Sequence, residues 1–146
     1  MSGNDILTKA QERAREMGLS YEGALSPQEA YALLQSGAKL VDVRSRAELD
    51  FVGRIPGSVE IEWKTYPGML PNPNFVQQLT QQVPSEARVM FICRSGGRSH
   101  EAALAARQAG FKAYNVLEGF EGDRDPSGHR NTVGGWRAAR LPWIQS

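Results

Sequence analysis

The chain has 146 residues, enough for one domain with a hydrophobic core and too few for two comfortable ones. Lysine and arginine number 17 against 16 aspartates and glutamates, a net charge of +1 with no long basic block, which argues against nucleic acid or an anionic membrane as the main partner. No apolar run is long enough to span a bilayer, and Met1 to Met17 is polar and charged with no apolar signal core, so a cytoplasmic location is the expectation.

Residues Asn4 to Met17 read as a helix, with Ile6, Leu7, Ala10, Ala14 and Met17 at helical spacing and Gly18 as its stop. A short extended piece, Tyr21 to Leu25, follows. Ser26-Pro27-Gln28-Glu29 is a helix start: Ser26 caps, Pro27 suits the first turn, and Glu29 reaches back. That helix ends near Gly37. Lys39 to Val43 reads as a strand, Ala47 to Val52 as a short helical turn, and Ser58 to Ile61 as another strand. A proline-rich loop runs from Trp63 to Asn74. Its aromatic stretch, Trp63, Tyr66, Met69 and Phe75, reads as a hydrophobic lid over one sheet edge in preference to a pocket wall that binds an organic or protein acceptor.

Phe75 to Val83 resumes helical spacing. Arg88 to Ile92 is a strand, Arg98 to Ala109 an alanine-rich helix stopped by Gly110, and Ala113 to Leu117 a further strand. Glu118 to Gly135 is a polar loop, Gly135 to Ala139 one last helical turn, and Leu141-Pro142-Trp143 packs the C-terminus. Alternating strands and helices predict an α/β fold, a mostly parallel sheet with helices on both faces. Residues 1–24 are expected to form an N-terminal helical extension and 25–146 the main domain. Ligands of such sheets bind beyond the C-terminal ends of the strands.

Cys93 lies at such an end, and it is the only cysteine. It opens the loop Cys93-Arg94-Ser95-Gly96-Gly97-Arg98-Ser99. A thiol between a buried strand and a helix start sits where backbone N–H groups converge, which favours the reactive thiolate. Gly96 and Gly97 permit positive φ and close approach, so successive amides can turn inward as an anion nest. Cys93 is therefore the candidate nucleophile in an oxyanion-binding cradle. A lone cysteine excludes an internal disulfide or resolving thiol, so any sulfur adduct must be discharged by another molecule.

These pieces resemble the single-domain rhodanese family of sulfurtransferases. The resemblance covers Leu25 to Trp143 and rests on Leu40-Val41-Asp42-Val43-Arg44 with Glu48, Gly53-Arg54-Ile55-Pro56-Gly57-Ser58, the Cys93 to Ser99 loop, Val116-Leu117-Glu118-Gly119, Gly135-Trp136 and Leu141-Pro142. It implies a central five-stranded parallel sheet flanked by helices. It also implies a persulfide mechanism: Cys93 takes sulfane sulfur from a small anionic donor such as thiosulfate and passes it to cyanide or a thiol, a protein thiol included. No metal or cofactor is called for. Cys93 would be the sulfur carrier, and the loop from Arg94 through Ser95, Gly96 and Gly97 to Arg98 would bind substrate through its backbone amides. Arg94 would point outward to attract the donor. Arg98 would either face substrate or brace the loop through Asp42 or another carboxylate. Asp42 reads as structural, and Arg44 with Glu48 as a scaffold pair.

Four residues separate Cys93 from Arg98. Related phosphatases place one more, giving a wider bowl for phosphate; here Ser99 stands at that position. The spacing favours sulfur transfer over a cysteine-dependent phosphatase or arsenate reductase, and the intact cysteine favours catalysis over a non-catalytic binding module on the same fold. Two departures from the family pattern stand out. Arg54 replaces the histidine that many members carry before Ile-Pro-Gly, and the segment Glu121 to Val133 is inserted before Gly134. Within that segment Asp123, Asp125, Ser127, Gly128 and Asn131 copy part of a calcium-loop spacing, but the position of the bidentate glutamate holds Gly134, so a solvated turn is the reading preferred, with His129 lacking a partner ligand. His100 is expected to face solvent or cap packing.

Overall fold

A computed structural model describes residues 3–65 and 68–145; the expected role of Tyr66 in the lid falls outside the described residues. The first helix, α1 (Gly3–Met17), buries Ile6, Leu7, Ala10 and Ala14 along one stripe. After β1 (Gly23–Leu25), α2 (Pro27–Gln35) starts at a reciprocal cap: the Ser26 hydroxyl accepts from the Glu29 amide and the Glu29 carboxylate from the Ser26 amide. Next come β2 (Lys39–Asp42) and α3 (Arg46–Phe51), which repeats the device with Ser45 and Glu48. They are followed by β3 (Val59–Glu60), β4 (Lys64–Thr65), β5 (Leu70–Pro71) and α4 (Phe75–Gln82). The chain continues through β6 (Arg88–Ile92), α5 (Gly97–Gln108) and β7 (Lys112–Val116).

Among the described residues the main sheet has five strands in the order β1-β7-β6-β2-β3, all parallel. Both its faces are covered, and the side-chain alternation shows it. Val89 and Phe91 of β6 enter one core with Val41 of β2, Ala113 of β7 and α4 and α5 residues; Met90 and Ile92 enter the other with Leu40, Tyr114, Val116 and residues of α1 and α2. Helix α5 presents Ala102, Ala103 and Ala106, all fully buried, so its axis lies close to the sheet. The last expected helical turn is present as a single turn, with the Ala139 amide donating to Gly135 carbonyl at 3.0 Å.

The expected strands appear within one or two residues of their predicted bounds. The strand expected from Tyr21 begins instead at Gly23, because Tyr21 turns into the core and is 4% exposed. The segment expected as a proline-rich loop contains the antiparallel β4–β5 pair. Two-residue strands are too short to show a period of two, so no pattern announced them.

Helix α1 is part of the core. A Cβ on Gly23 would lie 2.8 Å from the Tyr114 ring and 2.9 Å from Ala10 Cβ, which fixes how closely α1 approaches β1 and β7. Arg13 of α1 donates to the Ala24 carbonyl and pairs with Glu29 at 2.9 Å. Truncating Ile6 to alanine is expected to cost about 2–4 kcal/mol in urea unfolding; an unchanged midpoint would show that α1 contributes no core.

Candidate active site

The strand β6 ends at Ile92 and α5 begins at Gly97, so residues 93 to 96 form a short turn at the C-terminal edge of the sheet. Gly96 has φ 115°, in the left-handed region that a side chain would disfavour. This conformation turns its N–H inward, and the Gly96 amide donates to Cys93 Sγ at 3.2 Å. Among the described residues it is the loop amide, of those from Arg94 to Arg98, that bonds the sulfur. The first turn of α5 has no side-chain cap, so its remaining N–H groups and the positive helix end are open to an anionic group. Cys93 is enclosed, 2% exposed, with Sγ also 3.3 Å from Ser99 Oγ.

The two arginines of the loop differ. Arg94 is exposed and makes no ion pair among the described residues. Arg98 turns to α3 and forms a bidentate pair with Glu48, at 2.6 and 2.8 Å. Burial alone would raise the Glu48 carboxyl, but the hydrogen bond and charge of Arg98, with the Ser45 amide and hydroxyl, outweigh it and hold the group at about 2. Arg98 is raised by the same pairing against the opposing effect of burial. Ser95 sits half-exposed in the turn and Gly97 is exposed at the helix start.

Arg44 does not pair with Glu48. Its guanidinium pairs with Asp42 at 2.8 Å, both side chains being fully buried. It also donates to the Gly53 carbonyl at 2.8 Å and lies 4.0 Å over the Phe120 ring. The expected partners are exchanged because Glu48 is drawn to the N-terminus of α3 by its cap, which faces the Cys93 loop, while Asp42 points from the end of β2 into the interior.

Three contributors were not singled out as site residues from the sequence. Ser99 is fully buried and its hydroxyl also lies 3.1 Å from the Gly96 carbonyl. Asn115, buried in β7, donates to the same carbonyl at 3.4 Å; a polar residue inside an apolar strand was the readable signal. Gly119 stands behind the loop with φ 69°, where a Cβ would meet the carbonyls of Cys93 and Arg94 at 2.6 Å. Its close approach lets the Phe120 amide donate to the Cys93 carbonyl at 2.8 Å and the Glu121 amide to the Arg94 carbonyl at 3.0 Å.

The remaining candidates lie elsewhere. His100 Nδ1 shares a 2.8 Å hydrogen bond with the Tyr21 hydroxyl. The Tyr21 phenol is raised by burial, less a lowering from Asn115. Asp125 accepts from the amides of Ser127 and His129 and from the Thr132 hydroxyl, which ties a surface turn and lowers its carboxyl, the His129 amide contributing most. Arg54 pairs with Asp50 and Glu60. No helix among the described residues is long and apolar enough to cross a membrane.

Replacing Glu48 by glutamine is expected to lower stability by about 1–2 kcal/mol at neutral pH. The folded-state value is depressed, so the wild-type advantage is complete above the ordinary carboxyl value of 4.5 and fades as pH falls through about 2. Paired denaturation curves from pH 6 to pH 2 check it; a pH-independent difference would contradict the charge pairing. Gly119→Ala is expected to cost about 2–4 kcal/mol from strain and overlap, measured in the same way.

Comparison with known proteins agrees with this architecture. A family model described as the Rhodanese-like domain matches residues 26–124. The crystal structure of Rv0390 from M. tuberculosis superimposes with a TM-score of 0.80 at 44% identity, covering 87% of this chain and 100% of that one. An uncharacterized protein of Rickettsia conorii is 35% identical over 123 residues, 78% of this chain and 90% of its own. Thiosulfate sulfurtransferase 16, chloroplastic, of Arabidopsis thaliana is 29% identical over 92 residues, 62% of this chain and 76% of its own. With the fold, the sequence pattern and the family model in agreement, the chain belongs to the rhodanese-like domain family.

Proposed function

We propose that the protein is a sulfurtransferase that moves sulfane sulfur from a small anionic donor such as thiosulfate to cyanide or a thiol through a persulfide on Cys93. The observation that carries this reading is the placing of Sγ under the Gly96 amide at the mouth of α5, with Arg98 tied back to Glu48. In the first half-reaction the Cys93 thiolate attacks the outer sulfur of thiosulfate. A sulfur–sulfur bond forms to Sγ, the bond to the sulfonyl sulfur breaks, and sulfite leaves with the electron pair. The added atom extends beyond the enclosed Sγ, within reach of the uncapped amides of the first turn, which stabilise its negative charge. In the second half-reaction an acceptor nucleophile attacks that outer sulfur and the electron pair returns to Sγ.

Arg94 supplies the free cation for the donor. The family membership and the name of the Arabidopsis relative, a thiosulfate sulfurtransferase, support the same chemistry. A phosphate-ester reading is less well served: Ser99 stands where related phosphatases carry their arginine, and the neighbouring Arg98 is engaged through Nη1 and Nη2 by Glu48. A reducing cytoplasm is the setting in which a single thiol stays free for turnover.

Intact-mass spectrometry after brief thiosulfate exposure is expected to show one added sulfur atom on the wild type, removed by cyanide, and none on Cys93→Ser. Absence of the adduct together with turnover of a chromogenic aryl phosphate would replace this reading with the phosphatase one. Absence of both would leave a binding module.

A further inference from the structure

Beside the nucleophile loop a cleft of about 600 Å³ opens between α3, the β4–β5 turn and the segment after Gly119. This is the scale of a site for a small organic molecule and far exceeds what cyanide needs. Its wall is apolar: Phe51 is 82% exposed at the end of α3, and Val52 and Met69 continue the surface. Its charges are of three kinds. Arg98 and Glu48 neutralise each other. Arg94 brings a cation and Glu121 a carboxylate, and neither side chain has an ion pair among the described residues, with the other or with anything else. The two side chains leave the backbone side by side, because the Glu121 amide is bonded to the Arg94 carbonyl at 3.0 Å. One free charge of each sign beside an apolar wall matches a molecule that carries both charges on an organic body.

We propose that the sulfur acceptor is a zwitterionic α-amino-acid thiol, held with its carboxylate on Arg94, its ammonium on Glu121 and its methylene body on Phe51 and Met69. This rests on the sulfurtransferase reading. Arg94 serves in turn, first for the anionic donor and then, once sulfite has left, for the acceptor carboxylate. The acceptor thiol gives its proton to the anionic outer sulfur of the Cys93 persulfide, and the thiolate so formed attacks that sulfur. The new sulfur–sulfur bond gives the acceptor persulfide, which keeps the proton on the transferred sulfur, and the electron pair of the broken bond returns to Sγ as thiolate. Cyanide touches none of these groups.

The test uses the full chain, loaded with thiosulfate and freed of excess donor. Loss of the added sulfur is followed by intact mass with cysteine, with 3-mercaptopropionate (no ammonium) and with cysteamine (no carboxylate), each at equal thiolate concentration. Cysteine is expected to discharge the persulfide about fivefold faster than either partial analogue. In Glu121→Gln the ratio of cysteine to 3-mercaptopropionate is expected to fall towards one, while Phe51→Ala raises the half-saturating cysteine concentration. Circular dichroism confirms that both surface variants are folded. Equal rates for the three thiols, or an unchanged ratio in Glu121→Gln, would overturn the assignment while leaving the sulfurtransferase reading intact. Failure of the loading step would remove the sulfurtransferase reading, and this one with it.

Discussion

The bidentate pair between Arg98 and Glu48 is the interaction on which the site depends. It joins the first turn of α5, which follows the Cys93 loop, to the first turn of α3, and it does so from a glutamate already committed to a helix cap. Two helix beginnings that are distant in sequence are thereby held at one place on the sheet edge. The loop between Cys93 and Arg98 has little freedom left, since its carbonyls are gripped from behind by the amides after Gly119. A nest of amides is useful only when it is rigid, because donors that must reorganise lose their advantage in stabilising charge.

The buried Asp42–Arg44 pair works at a different level. It lies beneath the edge, closes against the Gly53 carbonyl and the Phe120 ring, and connects the end of β2 to the turn before β3 and to the segment after β7. A charge pair sealed in this way is weak evidence for stability, because desolvation offsets attraction. Its directional bonds instead fix which strand ends meet. The layered core and this pair together determine where the Cys93 turn projects.

Much of the fold was legible in the chain. Strand-length apolar runs such as Arg88 to Ile92, the Ser26 to Glu29 cap and the glycine stops have local causes, and local causes are written in local sequence. Cys93 was legible as the candidate nucleophile because its neighbours are chemically unusual for a core cysteine. Other features were not. Which carboxylate meets which arginine depends on the rotation of α3 against α5, a tertiary matter; the cap spacing of Ser45 and Glu48 is a local signal that was left unread. The roles of Ser99 and Asn115 depend on the single carbonyl of Gly96 toward which both point. The β4–β5 pair is too short to leave a pattern, and the exposure of Phe51 is a property of the assembled surface rather than of any segment.

The excursion between Glu121 and Gly135 returns to its own root: the Asn131 amide meets the Glu121 carbonyl at 2.7 Å and Arg130 meets the Gly122 carbonyl at 2.6 Å. Its two ends are thus stapled together before the chain moves on to Trp136. Length between such staples costs little closure entropy. The excursion is consequently a module that evolution or an engineer can lengthen, shorten or regraft, while the sheet edge that carries Cys93 stays in register.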